Sequence, residues 1–265
     1  MSKAKIMFNM TVREVREGLK EMKTVIVPVG VVEQHGYHLP LSVDIFNAQE
    51  IANRASALSG CFVAPTMHYA FSGGMLPGTI NISPQVVSLV LMDIFKSLTV
   101  QGFKNIIVLL GHGVSENIQA VNDAAMSFQR LQPDLQGICI LVVPFWEVSP
   151  AYMKSFDEGD YHAGKYETSM MLYWHPELVQ MEHVAVDSPE LLHVMRTDPD
   201  AYAAKIRGID SEFVKPKLVQ NPAIEVGVMG DPFTANAELG KTIAEESSTA
   251  IATLVEKLQR RLTDG

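Results

Sequence analysis

The sequence predicts an α/β fold, a three-layer α/β/α sandwich around a mostly parallel central sheet, on three grounds. Several short apolar runs are continuous rather than alternating, segments with apolar spacings of three and four separate them, and residues able to do chemistry gather where the runs end. Continuous apolar runs are the mark of strands buried on both faces, as parallel strands covered by helices are. The resulting β-α-β-α order implies right-handed crossovers and places ligand sites at the carboxyl ends of the strands.

Taken in order, the strands are predicted at Thr24–Val29, 61–65, Asn105–Leu110 and 138–144. The intervening helices fall at 45–58, 84–101 and 116–131, with Pro84 at a first-turn position behind Ser83 as N-cap. A last long helix is predicted over 236–262, where Ile243, Ser247, Ala250, Ile251, Leu254, Val255, Leu258 and Leu262 share one face and make it a packing helix. Between them, 187–222 is polar and broken by Pro189, Pro199 and Pro216, which reads as an irregular surface excursion serving as a lid or an oligomer contact. No internal repeat or low-complexity tract interrupts the chain.

The chain has 265 residues, 47% of them hydrophobic and 19% charged, which is enough to bury a large core in a single domain spanning 1–265. Its formal charge of -9 argues against nucleic acid or an anionic membrane as partner, since both require a basic surface. A small-molecule substrate is expected instead. The charged, amphipathic N-terminal stretch does not resemble a signal peptide and no apolar run is long enough to cross a bilayer, so a cytoplasmic location is expected. Cys61 and Cys139 border apolar runs and read as buried free thiols.

The stretch 25–44, VIVPVGVVEQHGYHLPLSVD, runs from a strand into Glu33, His35, His38 and Asp44. Side chains two apart in extended chain point the same way, so Glu33 and His35 can reach one point, and Asp44 can meet them from the start of the next helix. Carboxylate with imidazole suits a divalent first-row metal rather than calcium. Three further clusters follow: GMLPGT (74–79), LLGHG (109–113) with His112, and HAGKYETS (162–169) with His162 and Glu167. A lone Glu-x-His or Gly-His-Gly carries little, but three histidine-bearing motifs at strand ends of one α/β domain converge. Gly73, Gly74 and Gly78 suit a loop that approaches the site closely, and Gly78 is taken as a substrate-binding position. His38 either orients His35, contacts substrate or shapes the turn 36–40. His68 is a pocket-lining candidate, whereas His175, His183 and His193 lie in no motif.

In this order the motifs resemble the creatininase family of metal-dependent amidohydrolases, over about residues 11–258. The resemblance implies two divalent metal ions per chain, zinc, manganese or iron, with Glu33 and His112 on one, His35 and a further glutamate on the other, and Asp44 bridging. It implies a bridging hydroxide that attacks a small cyclic amide or related C–N bond, with His162 protonating the leaving group. The further glutamate is the open position. The H-x-E-N form of creatininases proper is absent, Val114 standing where that glutamate would be, and Glu116 arrives two residues late. Glu167 is preferred, since Glu116 fits an acidic first-turn residue of the next helix. Met75-Leu76 stands where relatives carry a histidine, so the substrate preference does not transfer directly. Opening of an oxidised cyclitol ring, deformylase or peptidase action on the same metal site remain alternatives, with a non-enzymatic ligand-binding protein behind them. A homo-oligomer, often a hexamer, is a further implication of the resemblance.

Overall fold

A computed structural model describes residues 4–262; residues 1–3 and 263–265, the two ends of the expected domain, lie outside the described residues. The main sheet contains β1 (Lys5–Ile6), β2 (Thr24–Val29), β3 (Phe62–Val63), β4 (Asn105–Leu110) and β5 (Cys139–Pro144) in the order β1-β3-β2-β4-β5. Every neighbouring pair is parallel, with Val25 opposite Ile106 and Leu110 opposite Pro144. Helices α1 (Val12–Gly18), α2 (Val43–Ser59), α3 (Pro84–Gln101), α4 (Ser115–Leu131), α5 (Pro150–Glu158), α6 (Lys165–Trp174), α7 (Pro189–Thr197) and α8 (Ala237–Arg260) accompany the sheet. Helices α3 and α4 pack together, and α2, α6 and α8 form a second group, so the sheet lies in the middle of three layers.

The central strands of the sheet are fully buried, while β1 and most of β5 at its edges are half-buried. Val25, Ile26, Val27, Ile106, Ile107, Val108 and Leu109 are all fully buried, as continuous apolar strands must be when helices cover both faces. Edge-to-face contacts between Phe95 of α3 and Phe128 of α4, 5.7 Å between centroids, tie one outer layer together. Asn105 is buried at the foot of β4, and its amide donates to Thr24 Oγ1 and to the Leu258 carbonyl, which registers β2, β4 and α8 against one another. On the other side, a Cβ at Gly240 would collide with the Ser169 carbonyl, so α8 and α6 come close enough to require glycine.

The chain goes from β2 to β3 on one side, then returns past β2 to place β4 on the other. The crevice between β2 and β4 is therefore the switch point at which α/β sheets bind ligands.

Two predicted features differ. The run 61–65 pairs for two residues only, and the short strand β1 was not evident as a strand, because a two-residue pairing leaves no period to read. The excursion 187–222 is not irregular throughout: it holds α7, a short 3-10 helix Pro199–Tyr202, and an antiparallel pair β6 (Ala203–Ile206) and β7 (Lys217–Gln220). Its strands are largely exposed and only four residues each, so no sustained apolar run announces them. Ser83 does precede Pro84 at the start of α3, but its side chain makes no capping hydrogen bond. Cys61 is buried and Cys139 half-buried, both free. Among the described residues no helix is long and apolar enough to cross a membrane.

Candidate metal centre

Two glycines bring the site together. A Cβ at Gly30, just past β2, would run into the backbone of Ile45, and one at Gly111, just past β4, into the carbonyl of Asp44. The ends of the two central strands therefore press directly on the first turn of α2 and carry its Asp44 into the crevice between them. Glu33 and His35 follow β2, and His112 follows β4.

The resulting geometry is two-sided. His112 Nδ1 lies 3.1 Å from Glu33 Oε2 and 3.0 Å from Asp44 Oδ2. On the other side His35 Nε2 lies 3.5 Å from Asp44 Oδ1 and 3.6 Å from Glu167 Oε2. Asp44 thus turns one oxygen to each imidazole, and two ligand-like trios, Glu33/Asp44/His112 and His35/Asp44/Glu167, share it. Glu33, His35 and His162 form a third such trio. All of Glu33, His35, Asp44, His112 and Glu167 are buried.

Outer contacts orient these groups as metal ligands require. His35 Nδ1 donates to the Glu33 carbonyl at 3.1 Å and His112 Nε2 to the Ser72 carbonyl at 3.2 Å, so each ring turns its other nitrogen inward. Ser72 Oγ donates to Glu33 Oε1 at 2.5 Å, and the Ala163 amide donates to Glu167 Oε2 at 2.6 Å. Glu33 Oε2, His35 Nε2 and Asp44 Oδ2 are buried with no hydrogen-bond partner. Unpartnered buried oxygens and nitrogens aimed at one another are costly unless a cation satisfies them, so the donor set fits divalent metal.

Without metal, protons take its place. Burial works against a charge on His35, but Asp44 and Glu167 outweigh it and raise its pKa to about 9. Burial likewise opposes charge on His112, and Glu33 and Asp44 still hold it well above the ordinary range. The same pairing lowers Glu33 and Asp44 against their own burial. Glu167 behaves oppositely: burial pushes it up to about 7, only partly offset by His35.

His162 stacks on His35 with ring centroids 4.3 Å apart. Its Nε2 is 2.8 Å from the Gln34 carbonyl and 3.0 Å from Gln34 Nε2. A carbonyl can only accept, so Nε2 carries the proton and Nδ1 keeps its lone pair. Burial and the nearby His35 lower its pKa to about 4, leaving a neutral imidazole. The turn that presents it is clamped by Asp160, whose carboxylate accepts from the amides of Lys165 and Asp231, while Ala163 takes a left-handed φ of 51°.

The other expected positions separate cleanly. Glu116 is exposed at the start of α4, where Ser115 donates to it, and it joins none of the trios. His38 is fully buried and bonded through Nε2 to Thr168 of α6, linking the turn 36–40 to the helix that carries Glu167. Gly78 has a φ of +92°, and a Cβ there would strike Leu41, so it fits the loop against the turn before α2. His68, His183 and His193 are exposed, and His175 is half-buried beside Glu50 and Glu177. Sequence reasoning missed Ser72, Gln34, Asp160 and Tyr202. Gln34 lay in plain view between Glu33 and His35, whereas Ser72 and Tyr202 stand in no pattern.

The sequence profile of creatininase (creatinine amidohydrolase) matches residues 8–255. The chain belongs to the creatininase family. It is 26% identical to creatinine amidohydrolase of Pseudomonas putida over 180 residues, 62% of this chain and 68% of the relative. It is 27% identical to 3-dehydro-scyllo-inosose hydrolase of Thermotoga maritima, covering 96% of this chain and 82% of the relative. It is 29% identical to mycofactocin precursor peptide peptidase of Mycolicibacterium smegmatis, covering 89% and 85%. A crystal structure of creatinine amidohydrolase superposes with a TM-score of 0.76 at 24% identity, covering 97% of this chain and 98% of that one. The creatininase fold, a mostly parallel sheet flanked by helices, is thus shared across the chain.

Proposed function

We propose that this creatininase-family hydrolase is a dinuclear metal enzyme that cleaves a C–N bond in a small cyclic amide. One observation carries the reading: the two oxygens of Asp44 face different imidazoles, and each imidazole has its own second carboxylate. Glu33, Asp44 and His112 would hold one ion, and His35, Asp44 and Glu167 the other. When bound, the ions would supply Lewis acidity toward the substrate carbonyl and lower the pKa of water.

The chain's own residues do the rest. His162, neutral and held by the Gln34 carbonyl, offers Nδ1 to take a proton from the attacking water and return it to the departing nitrogen. Ser72 and the Ala163 amide fix Glu33 and Glu167, so the carboxylates do not reorganise as charge develops on the substrate.

A second reading keeps the centre and changes the bond. The matches to the inosose hydrolase and to the peptide peptidase run over 96% and 89% of this chain against 62% for the creatinine amidohydrolase, which supports ring opening of an oxidised cyclitol, or peptidase action, as the alternative. The zinc, manganese or iron identity and a homo-oligomeric, hexameric state belong to the same proposal.

The test is elemental analysis of protein purified without chelators, beside Asp44→Ala, followed by a panel of creatinine, hydantoin, dihydrouracil, 2-pyrrolidinone and keto-inositols. About two ions per wild-type chain, lost in the variant, with turnover of a cyclic amide, is the expected result. Turnover of keto-inositols alone selects the second reading. A chain that takes up no metal on titration refutes both.

A further inference from the structure

The proposed chemistry leaves one residue of the crevice unused. Tyr202 ends the short helix Pro199–Tyr202 in the excursion over the site, and its Oη lies 3.2 Å from Gln34 Nε2. The orientation of Gln34 is fixed, because its Oε1 accepts from the Gly36 amide at 2.9 Å. The nitrogen therefore faces Tyr202, and the phenol oxygen is the acceptor in that bond. The phenol keeps its own proton to give away, and no hydrogen bond among the described residues uses it. Burial, with the negative charge of Glu33, raises the phenol pKa and keeps that proton in place.

The ring sits beside the metal ligands as well. A Cβ at Gly74 would lie 3.4 Å from Glu33 Oε1 and 3.6 Å from Tyr202 Cε1, so the carboxylate and the tyrosine ring flank the same glycine. Backbone contacts set its position independently of the hydroxyl. The Tyr202 carbonyl accepts from the Asn221 amide at 3.2 Å and from Gln220 Nε2 at 3.4 Å, and Gln220 Oε1 accepts from the Met75 amide at 3.3 Å. Asp187 holds the following chain by accepting from the amides of Glu225, Val226 and Gly227.

We infer that Tyr202 is a specificity-determining residue, donating a hydrogen bond from Oη to an uncharged oxygen acceptor on the substrate, a carbonyl or hydroxyl away from the bond being cut. An uncharged acceptor fits because the neutral phenol, held beside the Gln34 amide, offers one hydrogen-bond proton and no charge of its own. A second carbonyl on a cyclic amide and a ring hydroxyl of a cyclitol both meet the requirement, whereas a simple lactam does not. The inference rests on the hydrolytic reading of the centre.

Metal-replete wild type and Tyr202→Phe are to be compared on the best panel substrate bearing such an oxygen and on a counterpart lacking it, hydantoin against 2-pyrrolidinone being the cyclic-amide pair. The variant is expected to keep the wild-type metal content and to lose about tenfold in kcat/KM on the oxygen-bearing substrate, chiefly through KM, with less than about twofold change on the counterpart. Equal losses on both, or no loss on either, would overturn the inference and leave the hydrolytic reading standing. A wild type that holds metal but turns over nothing on the panel would overturn the two together.

Discussion

Loading the metal-free protein with zinc or manganese at pH 7 should expel protons, and the site sets how many. His35, raised to about 9, and His112, held well above the ordinary range, are both imidazolium at pH 7 in the metal-free chain. Each must lose its inward proton to become a ligand. Glu167, pushed up to about 7, is half protonated and must ionise as well. Metal uptake at pH 7 is therefore expected to release between about two and three protons per chain. The sign for stability follows from the same shifts. All three groups have folded pKa values above their unfolded ones, so in the metal-free chain they contribute stability at low pH. That contribution begins to fall above about pH 4.5 for Glu167, is lost through about pH 7, and for His35 is lost from about pH 6.5 through 9. Below about pH 6.5 the opposite shifts of His162 and His38, both lowered to about 4, offset the loss at Glu167. It is therefore from about pH 6.5 to 9 that the metal-free protein should melt lower as pH rises while the metal-loaded protein becomes progressively more protected, since affinity rises with pH. Isothermal titration of Zn or Mn into chelator-treated protein, in two buffers of different ionisation enthalpy, reads the proton count directly. Release of fewer than about one proton, or an affinity independent of pH, would refute the assignment of His35 and His112 as ligands.

Three further outcomes are expected. Glu167→Gln should hold about one ion fewer than wild type and lose activity by orders of magnitude, whereas Glu116→Gln should keep the full complement; metal analysis of the pair decides between the two glutamates. Ser72→Ala removes the hydroxyl that donates to Glu33 and should weaken metal retention about tenfold or more in chelator competition, with a small effect on melting. Asp187→Ala strips the acceptor from the amides of Glu225, Val226 and Gly227; with Val226 and Gly227 buried, about 2–4 kcal/mol is expected, read as a melting temperature lower by about 4–7 °C. A melting temperature within about 2 °C of wild type would show that solvent or a local shift satisfies those amides.

The extent to which the sequence foretold this structure depends on how local the determinant is. Strands β2 and β4 are legible because six consecutive residues buried on both faces leave an uninterrupted apolar run, and β5 keeps such a run although only its last two residues are fully buried. Glu33, His35 and His112 are legible for the same reason: they follow those runs at once, where the fold puts chemistry. The choice between Glu116 and Glu167 was harder from spacing, because it depends on whether the chain leaving β5 returns α6 to the crevice. Packing of α6 on α8 at Gly240 helps determine that return, and it involves residues seventy positions apart. Tyr202 is less legible still. It reaches the site from a largely exposed segment whose hairpin strands are only four residues each, and its position depends on Gln220 and Asn221 and on packing against Met195, Ile224 and Met229, contacts that no local pattern announces.

The electrostatics of the centre explain why so much of its surroundings is polar yet uncharged. Three carboxylates packed around two imidazoles would repel one another if left bare, and the metal-free chain compensates by holding protons on both rings. Two divalent ions would more than balance the three carboxylates, leaving one net positive charge in the crevice before a hydroxide binds there. Under the proposed hydrolysis that charge would meet the negative charge a tetrahedral transition state gathers and the ground state lacks, which is the condition for raising turnover rather than merely tightening binding. A lysine or arginine in the wall would add to the excess in both states and hold an anionic substrate or product too firmly. Gln34 and Ser72 instead supply dipoles that orient His162 and Glu33, and Tyr202, in the role inferred for it, would do the same for the substrate, none of them shifting the charge balance of the centre.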